Sequence, residues 1–156
     1  MSKKIAYRIT DDFVPYPMAV AYMEGRVRQI IAKDASELIW FLQHPSLITK
    51  GISGKEQDLL SPDLFPVFET NRGGQWTYHG PGQRLIYVML DLKNHGQDVR
   101  QFVKFLENWV ILAFQKIGIY AFTAENRIGV WVKTENSEKK IASIGIRLRK
   151  WVSYHG

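Results

Sequence analysis

Apolar residues recur at helical spacing in the segment 18–32. Its apolar side is formed by Met23, Val27, Ile30 and Ile31. Pro17 comes directly before this segment, and proline is well tolerated in the first turn of a helix. We therefore predict a helix over residues 18–32, in which Gly25 lowers the intrinsic stability by about 1 kcal/mol relative to alanine.

A second and more regular helical pattern follows Asp98, whose carboxylate suits the N-cap position. Gly118 fits the position just beyond the C-terminus, where a left-handed residue commonly ends a helix. The apolar side between them consists of Val99, Phe102, Val103, Leu106, Val110, Ala113, Phe114 and Ile117. This stripe predicts an amphipathic helix that buries one face.

The other apolar segments are interpreted mainly as strands. The dense run 38–42 is either a buried strand or a short helix, and residues 84–92 are typical of a strand. Residues 51–71 carry two glycines and two prolines and are predicted as loop. Three further β-leaning segments are 119–123, 128–134 and 140–154. Strands mixed with two helices predict an α/β or α+β domain, built on a mixed β-sheet flanked by helices.

The chain reaches Gly156 inside or just after the last predicted strand, with no element to close the sheet. There is no internal repeat and no Ser/Gly-rich linker. We therefore expect a single domain over residues 1–156 that lacks its C-terminal part.

Composition excludes several classes of protein. No stretch approaches the roughly 18 apolar residues of a membrane-spanning helix, and the basic N-terminus runs into no apolar signal segment. We expect a cytoplasmic protein outside the membrane. The absence of cysteine rules out disulfides, thiolate metal ligands and thiol catalysis within these residues. The formal net charge of +6 suits an acidic partner, which charge alone leaves open among nucleic acid, an anionic membrane and an acidic carrier protein.

The segment 72–83 is unlike ordinary core or surface sequence. It holds four glycines and a proline, so its backbone can approach a ligand closely. Arginine, threonine, tyrosine and histidine side chains add hydrogen-bond donors around it. From composition alone, the segment is either a ligand-binding loop or a hairpin loop with a few polar side chains.

A basic segment, 139–149, is the second candidate. If it is a strand, alternation places Lys140 at the start of an apolar face, while Arg147 and Arg149 point to solvent. A lysine there stabilises a nearby anion such as a thiolate. The alternative is a lysine that extends from a strand end into water without a specific partner.

Four segments together resemble the lipoyl(octanoyl) transferases. The run Arg-Gly-Gly-Gln-x-Thr-Tyr-His-Gly-Pro-Gly-Gln at 72–83 is the most specific of them. The Gly-Val-Trp-Val run at 129–132 and the Lys-Ile-Ala-Ser-Ile-Gly-Ile-Arg run at 140–147 follow in the family's order. The His-Pro segment within 44–51 resembles an earlier family motif. The likeness covers nearly the whole chain.

The resemblance implies a fold shared with biotin and lipoate protein ligases. It implies transfer of an octanoyl group from octanoyl-acyl carrier protein to a lysine of lipoyl domains, those of the 2-oxoacid dehydrogenases and the glycine cleavage H protein. It implies no cofactor, no metal and no nucleic-acid partner.

The resemblance also implies site residues. The first acyl-substrate segment comprises Arg72, Gly73, Gly74, Gln75, Trp76, Thr77, Tyr78 and His79. The second comprises Ser143, Ile144 and Gly145, and Gly156 opens a third. Lys140 matches the lysine that lowers the pKa of the catalytic cysteine. We expect an apolar acyl tunnel between the first two segments, with Tyr78 or His79 in contact with residues 143–145.

In this family the catalytic cysteine lies beyond the third segment, and the sequence ends before it. We therefore expect the 156-residue chain to be inactive by itself. Two alternatives remain open: an ATP-dependent lipoate or biotin protein ligase, which needs no cysteine, and a non-catalytic acyl-binding remnant. The motifs at 72–83 and 140–145 favour the transferase.

Overall fold

The computed structural model describes residues 5–155, which form two compact units. The described part of the first unit is 5–91 with 145–155, and the second unit is 92–144. The single domain predicted from the sequence is not tested by this division and stays a prediction.

Residues 5–155 contain two α-helices and eleven strands. In chain order they are β1 (Ala6–Phe13), α1 (Tyr16–Ala32), β2 (Leu38–Gln43), β3 (Leu47–Lys50), β4 (Val67–Glu69), β5 (Trp76–His79), β6 (Leu85–Met89), α2 (Val99–Lys116), β7 (Ala121–Ala124), β8 (Arg127–Lys133), β9 (Glu138–Ala142), β10 (Arg147–Arg149) and β11 (Val152–Tyr154). The expectation of mixed sheets with helices is confirmed. No helix among the described residues is long and apolar enough to cross a membrane.

The core of the first unit lies between α1 and the sheet β1-β2-β6. Strand β2 pairs parallel with β1 and antiparallel with β6, so the sheet is mixed. Alternate residues of β2 are buried, as expected for a strand with one face on a core. The predicted first helix is confirmed, and the segment 38–42 is a strand. The buried apolar cluster comprises Val14, Ala19, Met23, Val27, Ile30, Leu38, Trp40, Leu42, Leu85, Tyr87, Met89, Val152 and Tyr154.

A second mixed sheet of the first unit has the order β4-β3-β5. Strand β3 pairs parallel with β4 and antiparallel with β5. The loop predicted over 51–71 is therefore wrong at Val67–Glu69, and the glycine-rich segment contains the strand Trp76–His79. Strands of three and four residues carry too little alternation to be recognised locally, and they form because β3 supplies hydrogen-bonding edges on both sides.

The second unit combines α2 with the antiparallel sheet β7-β8-β9. The Asp98 carboxylate accepts hydrogen bonds from the backbone N–H groups of Arg100 and Gln101, at 2.8 and 3.0 Å, which confirms the predicted N-cap. Glu107 is buried on α2, and its carboxylate accepts a 2.8 Å hydrogen bond from the N–H of Gly129 on β8. Helix and sheet are thus joined by a polar contact as well as by packing.

The β-leaning segment 140–154 is divided among three strands. Strand β9 ends at Ala142, residues 143–146 are not in a strand, and β10 and β11 form an antiparallel hairpin. Lys150 and Trp151 at the hairpin tip have φ angles of 49° and 72°. Tight hairpin turns with two such residues usually contain asparagine or glycine, so Lys-Trp gives no turn signal in the sequence.

Two methionines of α1 provide a test of this packing. Met23 is fully buried in the core, whereas Met18 is 65% exposed on the same helix. We predict that Met23→Ala lowers the free energy of unfolding by about 2–5 kcal/mol, because it leaves a cavity. The matched change Met18→Ala should alter it by less than about 0.5 kcal/mol. Urea unfolding of both variants measures the difference, and equal effects would contradict the assigned core.

Candidate functional site

The glycine-rich segment is held in a defined shape by backbone hydrogen bonds. The N–H of Ile52 donates to the Arg72 carbonyl at 3.0 Å, and the N–H of Ser53 donates to the Gly74 carbonyl at 3.0 Å. The N–H of Gly73 donates to the Ile146 carbonyl at 3.1 Å. A Cβ atom at Gly51 would lie 2.2 Å from the Gly74 oxygen, so only glycine permits this approach. The glycine-rich segment is therefore fixed by contacts with other parts of the first unit, unlike a free hairpin loop.

Arg72 places a positive charge inside the first unit. Its side chain is buried, and its two terminal nitrogens donate to the carbonyls of Gly73, Thr49 and Gln75 at 2.9–3.0 Å and to the Thr49 hydroxyl at 2.8 Å. Among residues 5–155, no ion pair joins it to a carboxylate. Burial lowers the pKa of Arg72, but arginine stays charged in proteins. A buried cation with only neutral partners favours an anionic or strongly polar oxygen ligand.

His79 is next to this charge and has a defined protonation state. Its Nδ1 lies 2.8 Å from the Gln83 side-chain oxygen, which can only accept, so Nδ1 carries the proton. Its Nε2 lies 3.0 Å from the Thr49 hydroxyl. Burial, with smaller effects of His44 and Arg72, lowers the pKa of His79 to about 4. The ring is therefore neutral at neutral pH, and Nε2 accepts the hydroxyl proton of Thr49.

A second buried histidine, His44, directly follows strand β2. Its Nδ1 is 2.6 Å from the Val14 carbonyl and its Nε2 is 2.7 Å from the Tyr87 hydroxyl. Because a carbonyl only accepts, His44 donates from Nδ1 and accepts the Tyr87 proton at Nε2. Burial lowers the pKa of His44 and raises that of Tyr87. Both groups are neutral at physiological pH.

A cavity in the first unit lies beside Arg72, His79 and Tyr87. Its lining residues are Tyr16, Thr49, Arg72, His79, Leu85, Tyr87 and His155. Burial raises the pKa of Tyr16 to about 12, and burial together with Arg147 and Arg72 lowers that of His155 to about 4. Arg72 is therefore the one formal charge in this lining. The cavity has room for roughly one water molecule, which suits an oxygen atom rather than an acyl chain.

Of the first predicted segment, only Arg72 and His79 reach this cavity. Trp76 and Tyr78 lie on the opposite face of β5, because side chains alternate along a strand. Trp76 donates to the Lys55 carbonyl at 2.7 Å, and the Tyr78 hydroxyl lies 3.0 Å from that of Ser46. Thr77 is half-buried, and Gly74 and Gln75 are exposed.

Of the second segment, Gly145 lies in the same unit as the cavity. A Cβ atom at Gly145 would be 3.1 Å from the Gly73 oxygen and 3.8 Å from the Arg72 side chain, so Gly145 and Gly73 are neighbours. Ser143 and Ile144 belong to the second unit, in the stretch between β9 and β10. Gly156 lies outside the described residues. The predicted acyl tunnel and its Tyr78 or His79 contact stay predictions.

Lys140 is an exposed residue of β9 in the second unit. Its ammonium group lies 5.0 Å from the centre of the Trp131 ring. A Cβ atom at Gly129 would be 3.1 Å from the Lys140 side chain and 2.7 Å from the Ala142 oxygen. The Gly-Val-Trp segment therefore forms the surface along which the Lys140 stem lies. The assigned role of Lys140 stays a prediction, as do all the site residues.

Several cavity residues were not among the predicted site residues. They are Tyr16, Thr49, Leu85, Tyr87 and His155, with His44 behind them. The family-like segment 44–51 gave a signal for His44 and Thr49, whereas Tyr16 and Tyr87 resemble ordinary core aromatics in the sequence. No cluster of three metal-ligating side chains occurs in the described part of the chain.

The chain is similar to proteins of lipoate metabolism. A family model described as lipoyl protein ligase A/B catalytic domain matches residues 15–156. The octanoyltransferase of Bartonella henselae is 52% identical, over 97% of this chain and 66% of the relative. The octanoyltransferase of Maricaulis maris is 54% identical, over 97% of this chain and 68% of the relative. The chain thus spans about two thirds of the length of these relatives.

Solved structures show the fold. The bi-partite lipoate protein ligase of Thermoplasma acidophilum matches with a TM-score of 0.63 at 16% identity, over 95% of this chain and 58% of that chain. The predicted likeness to lipoate protein ligases is confirmed at the level of the fold.

The buried histidines predict how stability depends on pH. His79 and His155 have folded pKa values of about 4, below the ordinary 6.5. Between pH 6.5 and pH 4 these two histidines become protonated in the unfolded chain but not in the folded chain. The free energy of unfolding therefore falls as the pH falls from 6.5 to 4. The slope is up to about 1.4 kcal/mol per pH unit for each histidine.

Denaturant unfolding at several pH values measures this slope. We predict that His79→Gln makes this slope shallower by up to about 1.4 kcal/mol per pH unit, because the variant lacks the buried histidine that only the unfolded chain protonates. A slope in His79→Gln equal to that of the wild type would contradict the neutral, buried state of His79.

Proposed function

The chain belongs to the lipoyl protein ligase A/B catalytic domain family, and on this premise we propose that it provides the acyl-recognition part of an octanoyltransferase. The reaction moves an octanoyl group from octanoyl-acyl carrier protein to a lysine side chain of a lipoyl domain in the cytoplasm. The acceptors we propose are the lipoyl domains of 2-oxoacid dehydrogenases and the glycine cleavage H protein. Support comes from the octanoyltransferases at 52% and 54% identity.

One observation carries this proposal beyond similarity. Arg72 is a buried cation that has no carboxylate partner among residues 5–155. It lines a cavity with room for roughly one water molecule. A thioester carbonyl is a polar oxygen acceptor, and it becomes more negative as the carbonyl carbon is attacked. We assign this oxygen to Arg72, because a positive charge at low dielectric stabilises developing negative charge strongly.

The neutral groups around Arg72 support the same assignment. Tyr16 keeps its proton because burial raises its pKa, and His79 and His155 stay uncharged because burial lowers theirs. Arg72 is the one formally charged residue among those that line the cavity. The acyl chain itself needs a longer apolar site, which we propose runs from the glycine-rich segment towards Gly145 in the same unit.

Acyl transfer through an acyl-enzyme also needs a nucleophile. The proposed nucleophile is a cysteine thiolate, which the 156 residues do not contain. Lys140 would favour the thiolate through its opposite charge. Its position over the Trp131 ring, with its stem along Gly129, supports a defined orientation of the ammonium group.

The second candidate is a lipoate protein ligase, which the fold also accommodates. A ligase binds ATP to activate a free acid, whereas the transferase receives an already activated thioester. Calorimetric titration with ATP therefore separates the two. Saturable heat with ATP, and none with octanoyl-acyl carrier protein, would replace the transferase by the ligase.

The proposed role of Arg72 predicts a specific loss of affinity. We predict that Arg72→Lys weakens binding of octanoyl-acyl carrier protein by at least about tenfold, because one ammonium group cannot reproduce the planar donor set of arginine. The matched change Arg84→Lys, at an exposed position just after the glycine-rich segment, should leave the affinity unchanged. Calorimetry measures both, and equal affinities in the two variants would rule out the assignment.

A further inference from the structure

The hydroxyl group of Thr49 on β3 connects two residues of the proposed site. Its oxygen lies 2.8 Å from a terminal nitrogen of Arg72 and 3.0 Å from Nε2 of His79. The residue is 1% exposed, so these contacts are shielded from bulk water. Thr49 is thus a buried bridge between the cation and the neutral ring.

The direction of each hydrogen bond in this bridge is determined. Arg72 can only donate, so the Thr49 oxygen accepts there and has one proton left to give. The Tyr78 carbonyl accepts from the Gln83 amide nitrogen at 3.0 Å, which turns the Gln83 oxygen towards Nδ1 of His79 at 2.8 Å. Nε2 of His79 is then an acceptor for the Thr49 proton. The hydrogen bonds therefore form a chain with one donor order, in which each residue donates to the next: Arg72, Thr49, His79, Gln83 and finally the Tyr78 carbonyl.

An alternative contact of Thr49 is weaker. Its hydroxyl is 3.5 Å from the Thr77 carbonyl, half an ångström longer than its distance to His79. The backbone carbonyl of Thr49 also accepts from Arg72, at 3.0 Å. Replacing only the side chain therefore removes the bridge while one Arg72 contact to the same residue remains.

We infer that Thr49 and Gln83 are positioning residues for octanoyl recognition by Arg72. Gln83 holds His79 in the Nδ1–H form, His79 directs the Thr49 proton, and the Thr49 oxygen holds the guanidinium at the cavity wall. The N–H groups of Arg72 that these bonds leave unused are then available to the acyl carbonyl oxygen. This assignment rests on the proposed function.

Binding of octanoyl-acyl carrier protein tests the inference. Thr49→Val keeps the shape but removes the hydroxyl, and we expect affinity to fall about tenfold, as for loss of a hydrogen bond to a charged group. Thr49→Ser restores the hydroxyl and should bind within about threefold of wild type. The matched control is Thr10→Val, whose hydroxyl accepts a 2.9 Å hydrogen bond from Trp40 in the same unit but does not line the cavity.

Long-range ¹H–¹⁵N spectra of the histidine rings provide a readout that does not depend on substrate. We expect the wild-type His79 ring to be protonated at Nδ1, and Gln83→Leu to shift the proton towards Nε2. The ring of His44, whose Nδ1 donates to Val14, is the internal control and should not change. A purely structural role of Gln83 would change stability without this shift.

The outcomes distinguish the inference from the function on which it rests. If wild type binds octanoyl-acyl carrier protein and Thr49→Val binds equally well, Thr49 is not a positioning residue. If His79 is protonated at Nε2 in the wild type, the donor order is wrong. If the wild type shows the Nδ1–H form but binds no octanoyl-acyl carrier protein, the proposed function fails, and the role in octanoyl recognition fails with it.

Discussion

The burial of the Arg72 guanidinium is the constraint on which the rest of the site depends. Removing such a charge from water costs several kcal/mol unless polar partners replace the solvent. The partners are carbonyls of Thr49, Gly73 and Gln75 and the Thr49 hydroxyl, and none is ionised. The close approach of Gly51 to Gly74 and the pairing of β3 with β5 bring these acceptors together. The charge is thereby accommodated without being neutralised.

The remaining electrostatics follow from the same burial. Low polarity around the cavity disfavours any charge in addition to that of Arg72. His79 and His155 are therefore neutral at neutral pH, and Tyr16 keeps its proton. A lone cation among neutral donors and acceptors is suited to an oxygen ligand that gains negative charge during reaction. This environment supports the proposed assignment of the octanoyl carbonyl oxygen to Arg72.

Sequence predicted those elements whose signals are local. Both helices carry a long apolar stripe, and the Asp98 cap accepts hydrogen bonds from residues only two and three positions later. Strands β4 and β5 escaped prediction because three or four residues show too little periodicity, and each of them pairs with β3. The cavity combines residues as distant as Tyr16 and His155, and sequence separation conceals such neighbours. The resemblance implied Arg72 and His79 as site residues, whereas the contacts of Thr49 and Gln83 with this pair became visible only in the structure.

The central claim is that the Arg72 side chain meets the octanoyl carbonyl oxygen. The most direct measurement is the ¹H–¹⁵N resonance of the Arg72 side-chain Nε–H during titration with octanoyl-acyl carrier protein and, separately, with the unacylated carrier. We predict a saturable shift with the octanoyl form and none with the unacylated form, because only the former places a carbonyl oxygen at the guanidinium. An unchanged resonance at saturating octanoyl-acyl carrier protein would contradict the claim.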